Sequence, residues 1–371
     1  MAVQKICIMG GGNGGFAAAA DLTQRGYEIT LYEDPKFAAA IADIAQTQTI
    51  TLQENGNTIG DVKIHKVTTD LSDALSDVDL IMPISPAFAQ EAVAKNLVPH
   101  LRDGMIIFLC PGSCGGGLVY AKIFHDAGVH NKVKICEIST LPYATRKNGN
   151  ATNIMLRTPV LWFSAFPAKY TQELFELVDP LFPGITPMTD VLETALNNGN
   201  IDSHPTPVVL NAGKIDHLKP GEVHYHYKDG ISPAVAQVVE KVSRERMALC
   251  EALGYKPIHI LERLAMTGYC PPADDLYTAY RGSVDVFMEI SGPNDLSGRY
   301  LTEDAPCSLV FCANLAKALN VKTPLMDSVT HLASALRNED YWVTGRTLEK
   351  VGLDGMNAQQ MREFVMEGYQ D

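Results

Sequence analysis

The chain has 371 residues, with 30 Lys and Arg against 43 Asp and Glu, a formal charge of −13 at pH 7. Its 46% apolar and 20% charged content is that of a folded globular protein rather than a disordered one. The acidic balance argues against a nucleic-acid partner, and no apolar run approaches the ~18 residues of a membrane span.

The length exceeds the roughly 250–300 residues at which one core stops growing, so two domains are expected. In chain order, short apolar runs at Lys5–Met9, Glu28–Tyr32, Leu80–Ile84, Met105–Leu109 and 132–136 alternate with helical stretches such as Phe16–Arg25 and Ala87–Leu101. Runs apolar at nearly every position read as strands buried on both faces, and strand–helix alternation reads as a doubly wound α/β domain. Beyond Pro187 the periodicity is helical, at Ser232–Leu253, Pro306–Leu319, Leu325–Ala335 and Asn357–Gly368. Ser232-Pro233 supplies an N-cap and a first-turn proline, and Gly254 supplies a stop. The expectation is an α/β, Rossmann-like N-terminal domain over residues 1–188, followed by an all-α domain over 189–371.

Eight scattered cysteines without CxxC spacing read as reduced and structural, not as a disulfide framework. The N-terminus lacks the basic start, long apolar core and cleavage site of a signal peptide. A cytoplasmic location is expected.

The clearest motif is Gly10-Gly11-Gly12-Asn13-Gly14-Gly15, with G-x-G-x-x-G spacing at Gly10, Gly12 and Gly15. It follows a strand and opens an Ala-rich helix, the context that gives the pattern meaning. Gly10 permits the turn, Gly12 lets a pyrophosphate approach, and Gly15 lets the helix sit close to the sheet. The loop through Asn13 and Gly14 would then offer amides to phosphate. Glu33, at the end of the second strand, is placed to bind ribose hydroxyls, which favours NAD(H). Nearby Lys36 keeps NADP(H) open, as a partner for a 2′-phosphate. Two further strand ends, Ser85-Pro86-Ala87 and Cys110-Pro111-Gly112-Ser113, border the same crevice; each also reads as an ordinary strand-to-helix turn.

In the second half, His204 stands in a polar, turn-rich stretch before Val208–Leu210. Hydride transfer to C=O or C=N needs a proton donor near neutral pH, a role that suits His, although a lone His before Pro also reads as a solvated loop residue. His224 and His226 alternate as metal ligands can, but no third ligand has suitable spacing, so no metal is expected. Arg299, Glu303 and Asp304 lie just before Pro306. They read as substrate and His partners, although Thr302 or Asp304 also reads as a cap for the Pro306 helix.

Several segments resemble the octopine/nopaline (opine) dehydrogenase family across nearly the whole chain. They are the glycine motif, Glu137-Ile138-Ser139-Thr140-Leu141-Pro142-Tyr143-Ala144-Thr145-Arg146, Ser203-His204-Pro205, Tyr227-Lys228-Asp229-Gly230, Arg299-Tyr300-Leu301-Thr302-Glu303-Asp304-Ala305-Pro306 and Gly345-Arg346-Thr347. The resemblance implies reductive condensation of an amino acid with a 2-oxo acid, with NAD(P)H as reductant. It implies His204 and Asp304 as the catalytic pair and Arg299 as the holder of a substrate carboxylate, with Thr140 and Glu137 near the substrate. The implied partners are small molecules, and a homodimer is the base-rate assembly. Two departures stand out: His224 and His226 replace part of an aromatic-rich stretch, and the loop Pro111–Gly117 has unusually many glycines. The alternatives are a 2-oxo acid reductase that uses no amine, and a non-catalytic NAD(H) sensor.

Overall fold

The computed structural model describes residues 3–370. Its strands are β1 (Lys5–Met9), β2 (Glu28–Tyr32), β3 (Thr49–Glu54), β4 (Asn57–Lys63), β5 (Lys66–Thr68), β6 (Leu80–Pro83), β7 (Met105–Leu109), β8 (Val133–Ile138), β9 (Tyr143–Asn148), β10 (Ala151–Arg157), β11 (Leu161–Phe166) and β12 (Ile185–Pro187). Eight of them form one sheet in the order β12-β11-β8-β7-β6-β1-β2-β5. From β8 to β5 every pairing is parallel; β11 runs antiparallel to β8. The buried runs Ile6–Met9, Leu80–Met82 and Ile107–Leu109 fill its centre, as expected for strands covered on both faces. This is a Rossmann-like sheet. The order reverses at β1, where β2 and β6 flank it on either side. That is where a crevice opens beyond the strands' carboxyl ends.

A second sheet, ordered β4-β3-β10-β9, is not anticipated by the strand–helix alternation. Its β3–β4 hairpin turns through Asn55-Gly56, with φ of 48° and 78°, the geometry that Asn-Gly pairs adopt most readily. The helix Asn13–Gln24 lies between the two sheets. Buried Asp21 on that helix accepts from Tyr143 OH at 2.7 Å and from Arg157 at 2.8 Å. These bonds carry the start of β9 into the crevice.

Beyond Pro187 the described residues form helices and turns, with only isolated bridges at Tyr225. Ser232 caps Pro233–Ala252 by accepting from Val235 N, and Gly254 ends the run at φ +81°. Two expected helices are broken. Ala87–Leu101 becomes a helix over Gln90–Leu97 flanked by tight turns, because Pro99 has no N–H to continue it. Pro306–Leu319 opens as a widened π turn over Ala305–Leu309, immediately after Asp304. A single apolar core draws Leu118 and Tyr120 from the first half together with Phe311 and Met361 from the second. Buried Arg346 adds polar ties across the same boundary, donating to Cys114 O, Ala87 O and Gln90 Oε1. All eight cysteines are buried and free. Among the described residues, no helix is long and apolar enough to cross a membrane.

Candidate active site

A cavity of about 750 Å³ runs from the glycine loop to the helical half. At one end Gly10 adopts φ +127°, and a side chain there would strike Ile84 O at 2.4 Å. A Cβ on Gly15 would sit 1.7 Å from Gly10 O, so only glycine lets the helix come this close to the turn. Gly12 faces open space, where a Cβ would meet nothing within 4 Å. No side chain caps the helix that Gly12 begins, so its first amides face the opening. Gly10, Gly12, Asn13 and Gly14 line the cavity, while Gly15 sits behind them. Asn13 is held by β9, accepting from Lys147 N at 2.8 Å. The Lys147 ammonium lies over the Phe16 ring at 3.6 Å and donates to Gly11 O and Ala40 O. Burial lowers its pKa, but the group still brings an amine beneath the glycine loop.

Glu33 lines the cavity with Asp34 and Tyr32. Its carboxylate accepts from Gly11 N at 2.6 Å and from Asp34 N at 2.9 Å, which couples its orientation to the loop. Lys36 is exposed and is not among the lining residues. Ser85 and Pro86 form the opposite wall. Ala87 lies just behind, its amide donating to Glu303 at 2.7 Å.

At the other end, helical geometry sorts the acidic pair. Successive residues on a helix point about 100° apart, so Glu303 and Asp304 serve different partners. Glu303 bonds Ala87 N and, one turn back, Arg299 Nε at 2.5 Å. Asp304 Oδ2 lies 2.8 Å from His204 Nδ1. His204 is fixed just ahead of the helix Pro205–Leu210, its ring stacked on Tyr300 at 3.7 Å. Its Nε2 lies 3.1 Å from Tyr227 OH. Residues 100 positions apart in sequence thus form one unit, and Arg299 lines the same space as His204.

Burial pushes the His204 imidazole down, to about 3, and the Asp304 carboxyl up, to about 7. Both shifts disfavour isolated charge, so the pair is net neutral when it holds one proton between its members. In either arrangement of that proton, Nδ1 and Asp304 share one hydrogen and Nε2 carries another. Loss of the proton leaves Nε2 as an acceptor. Burial keeps the Tyr227 hydroxyl protonated, its pKa well above the ordinary value, so it can accept from Nε2–H in the first state and donate in the second.

The remaining candidates fall differently. Thr140 lines the cavity. Glu137 does not: it is fully buried behind the wall, accepting from Gly117 N at 2.7 Å. Burial raises its pKa to about 8. Cβ atoms on Gly112 and Gly117 would lie 2.3 Å and 2.7 Å from this carboxyl group, which accounts for the glycine-rich loop. His226 packs edge-on against Tyr300 at 4.7 Å and bonds Ser203 O at 2.7 Å, bracing the His204–Tyr300 stack. His224 is buried nearby, close to Gly230. Among the described residues no three His, Cys, Asp or Glu side chains are grouped to hold a metal. Sequence reasoning names Tyr227, Tyr300 and Arg146 only within longer segments, and it gives no role to Lys147 or to the polar ties of Arg346.

Residues 5–115 match the N-terminal region of NAD-dependent glycerol-3-phosphate dehydrogenase, and residues 187–337 match the alpha-helical domain of NAD/NADP octopine/nopaline dehydrogenase. Octopine dehydrogenase, solved with NADH and L-arginine, superposes with a TM-score of 0.79 at 21% identity, covering 99% of each chain. Yersinopine dehydrogenase with NADP+ bound does so at 0.72 and 18% identity, covering 98% of each. The opine dehydrogenase of Arthrobacter sp. (strain 1C) is 32% identical over 360 residues, 96% of this chain and 98% of that one. With such a relative over almost its full length, the chain belongs to the octopine/nopaline dehydrogenase family.

Proposed function

We propose that the protein is an opine dehydrogenase: an NAD(P)-dependent oxidoreductase that joins the amine of an amino acid to a 2-oxo acid, such as pyruvate, and reduces the resulting imine to a secondary amine. In the reverse direction it oxidises that CH–NH group. The observation that carries this reading is the His204–Asp304 pair, 2.8 Å apart, whose imidazole lines the same cavity as the glycine loop. Residues 1–188 serve as the nucleotide-binding half and 189–371 as the substrate-binding half.

The bound nicotinamide cofactor supplies the hydride. The chain's own residues do the rest. Gly12 and the uncapped helix behind it receive pyrophosphate, and Glu33 receives the ribose. Arg299, whose side chain is 63% exposed, offers its outer nitrogens to a substrate carboxylate while Glu303 fixes its inner one. Condensation forms a C–N bond and expels water, and His204 Nε2–H donates the proton that departs with the hydroxyl of the carbinolamine. Asp304 holds the imidazole in register, and the Tyr300 face limits its rotation. Thr140 stands where it can contact the substrate, whereas Glu137 supports the wall.

NADH is favoured over NADPH because Glu33 occupies the ribose position and Lys36 lies outside the lining. Eight free cysteines suit a reducing cytoplasm.

Initial rates of NADH and NADPH oxidation with 2-oxo acids, each with and without amino acids, test the reading. Oxidation that requires both partners, with a new secondary amine detected by mass, is expected. Equal oxidation with the oxo acid alone would make the protein a 2-hydroxy acid dehydrogenase.

A further inference from the structure

An amino acid and a 2-oxo acid bring two carboxylates and one variable side chain into the cavity, and the lining sorts them. Apart from Arg299, the exposed guanidinium in the lining is Arg146 on β9. Arg146 lies near Tyr300 and Tyr269, where its charge favours the ionised form of each phenol. Arg263 also lines the cavity, but it is buried and committed to Asp202 at 2.5 Å. Two reachable cations therefore match two carboxylates, with Arg299 beside the His204–Asp304 pair and Arg146 beside an aromatic wall.

That wall starts at His204. Tyr227, bonded to His204, stacks on Phe287 with ring centres 3.9 Å apart. Phe287 in turn stacks on Tyr269 at 5.0 Å and an interplanar angle of 17°. Leu264 and Ile290 line the cavity with them. Tyr227 and Phe287 are buried and Tyr269 is half-buried, so the stack meets the cavity as a largely apolar wall.

Among the described residues no carboxylate is free to face it. The acids that line the cavity are Glu33, Asp34 and Glu303. Glu33 and Asp34 belong to the nucleotide end and accept from backbone amides. Glu303 is taken by Arg299 and Ala87 N. Asp304 is taken by His204, and Glu137 lies behind the wall. A cationic side chain placed here would lose its water and gain no counter-charge, and an anionic one would lack a third cation. An aromatic or long aliphatic side chain exchanges water for stacked rings.

We infer that the amino-acid substrate carries an uncharged apolar side chain, aromatic or branched aliphatic, seated on the Tyr227–Phe287–Tyr269 stack with its α-carboxylate on Arg146. This assignment rests on the opine reading above and narrows it. Rejection here works by leaving charge unpaired, the more selective of the two means a pocket has.

The test is kcat/KM at saturating pyruvate and NADH for phenylalanine, leucine and methionine against arginine, lysine and glutamate. Apolar amines are expected to exceed charged ones by about tenfold or more. Phe287→Ala should raise KM for phenylalanine by about tenfold or more while leaving KM for pyruvate within about twofold. Arg146→Met should raise KM for every amino acid and spare NADH binding. Because the amine panel uses the unaltered protein, a folding defect in either variant leaves the inference open to refutation. Amine-dependent oxidation that is fastest with arginine, lysine or glutamate would overturn the apolar assignment and leave the opine reading standing. Oxidation indifferent to any amine would overturn both.

Discussion

The two ends of the cavity are built from different materials. The end proposed to hold the nucleotide is backbone: a turn, an uncapped helix and close approaches that only glycine permits. Its residues lie within a few positions of each other, apart from Glu33 just past the neighbouring strand. The end proposed as catalytic is side chain: His204 and Tyr227 converge on the segment that carries Tyr300 and Asp304. A backbone site fails when an atom is added, and a side-chain site fails when one is removed. Substitutions therefore separate the two ends.

The largest expected effect comes from adding one methyl group. Gly15→Ala places a carbon 1.7 Å from Gly10 O, where backbone surrounds it and no flexible side chain can yield. NADH binding is expected to vanish in a fluorescence titration, and the melting temperature to fall. Retained affinity would mean that the helix sits farther from the turn.

Next is the catalytic end. Asp304→Asn preserves size but removes the acceptor that shares a proton with His204. kcat is expected to fall by about 10²- to 10⁴-fold, with the Kd for NADH within about twofold. The pH dependence sharpens this. The pair must hold its shared proton to act as a donor, and burial raises the Asp304 carboxyl to about 7. The reductive rate should therefore be full below that pH and fall above it, while the oxidative direction, which needs Nε2 as an acceptor, rises through the same range. In Asp304→Asn the limb near pH 7 should disappear from a kcat–pH profile.

The same contrast governs what the sequence makes legible. The glycine loop can be read because its contacts are local, with strand, turn and helix following one another from Lys5 to Gln24. Local spacing alone cannot pair His204 with Asp304, since nothing local joins positions so far apart; only the family resemblance pairs them. The same separation hides Tyr227 and the split duty of Glu303 and Asp304. The second sheet has clearer signals. Asn55-Gly56 and Gly149-Asn150 both mark two-residue turns between its strands, the pairs that tight hairpins favour. Without that sheet Arg146 and Lys147 have no place in the site. Glu137 is drawn to the substrate only by its neighbours in sequence. A strand sends alternate residues to opposite faces, and this side chain goes under the glycine loop.

Glu137 gives the smallest effect on activity. Its carboxyl is protonated in the fold up to about pH 8, so Glu137→Gln should change kcat by less than about twofold at pH 7. Its signature lies in stability. Between the ordinary carboxyl range and about 8 the folded state binds the proton more tightly than the unfolded state, so the wild type loses stability as pH rises through that window. The melting temperature of Glu137→Gln relative to wild type should accordingly climb across it. A constant difference would mean that the group is already ionised in the fold.

The central claim is that one cavity holds two separable machines, a nucleotide cradle and a proton-transfer pair. His204→Ala tests it most directly, with NADH Kd and kcat for reductive condensation measured on the same preparation. The account predicts turnover lowered by at least about 10²-fold and an NADH Kd within about twofold of wild type. Parallel loss of binding and turnover would contradict it and make His204 part of the frame that shapes the cavity.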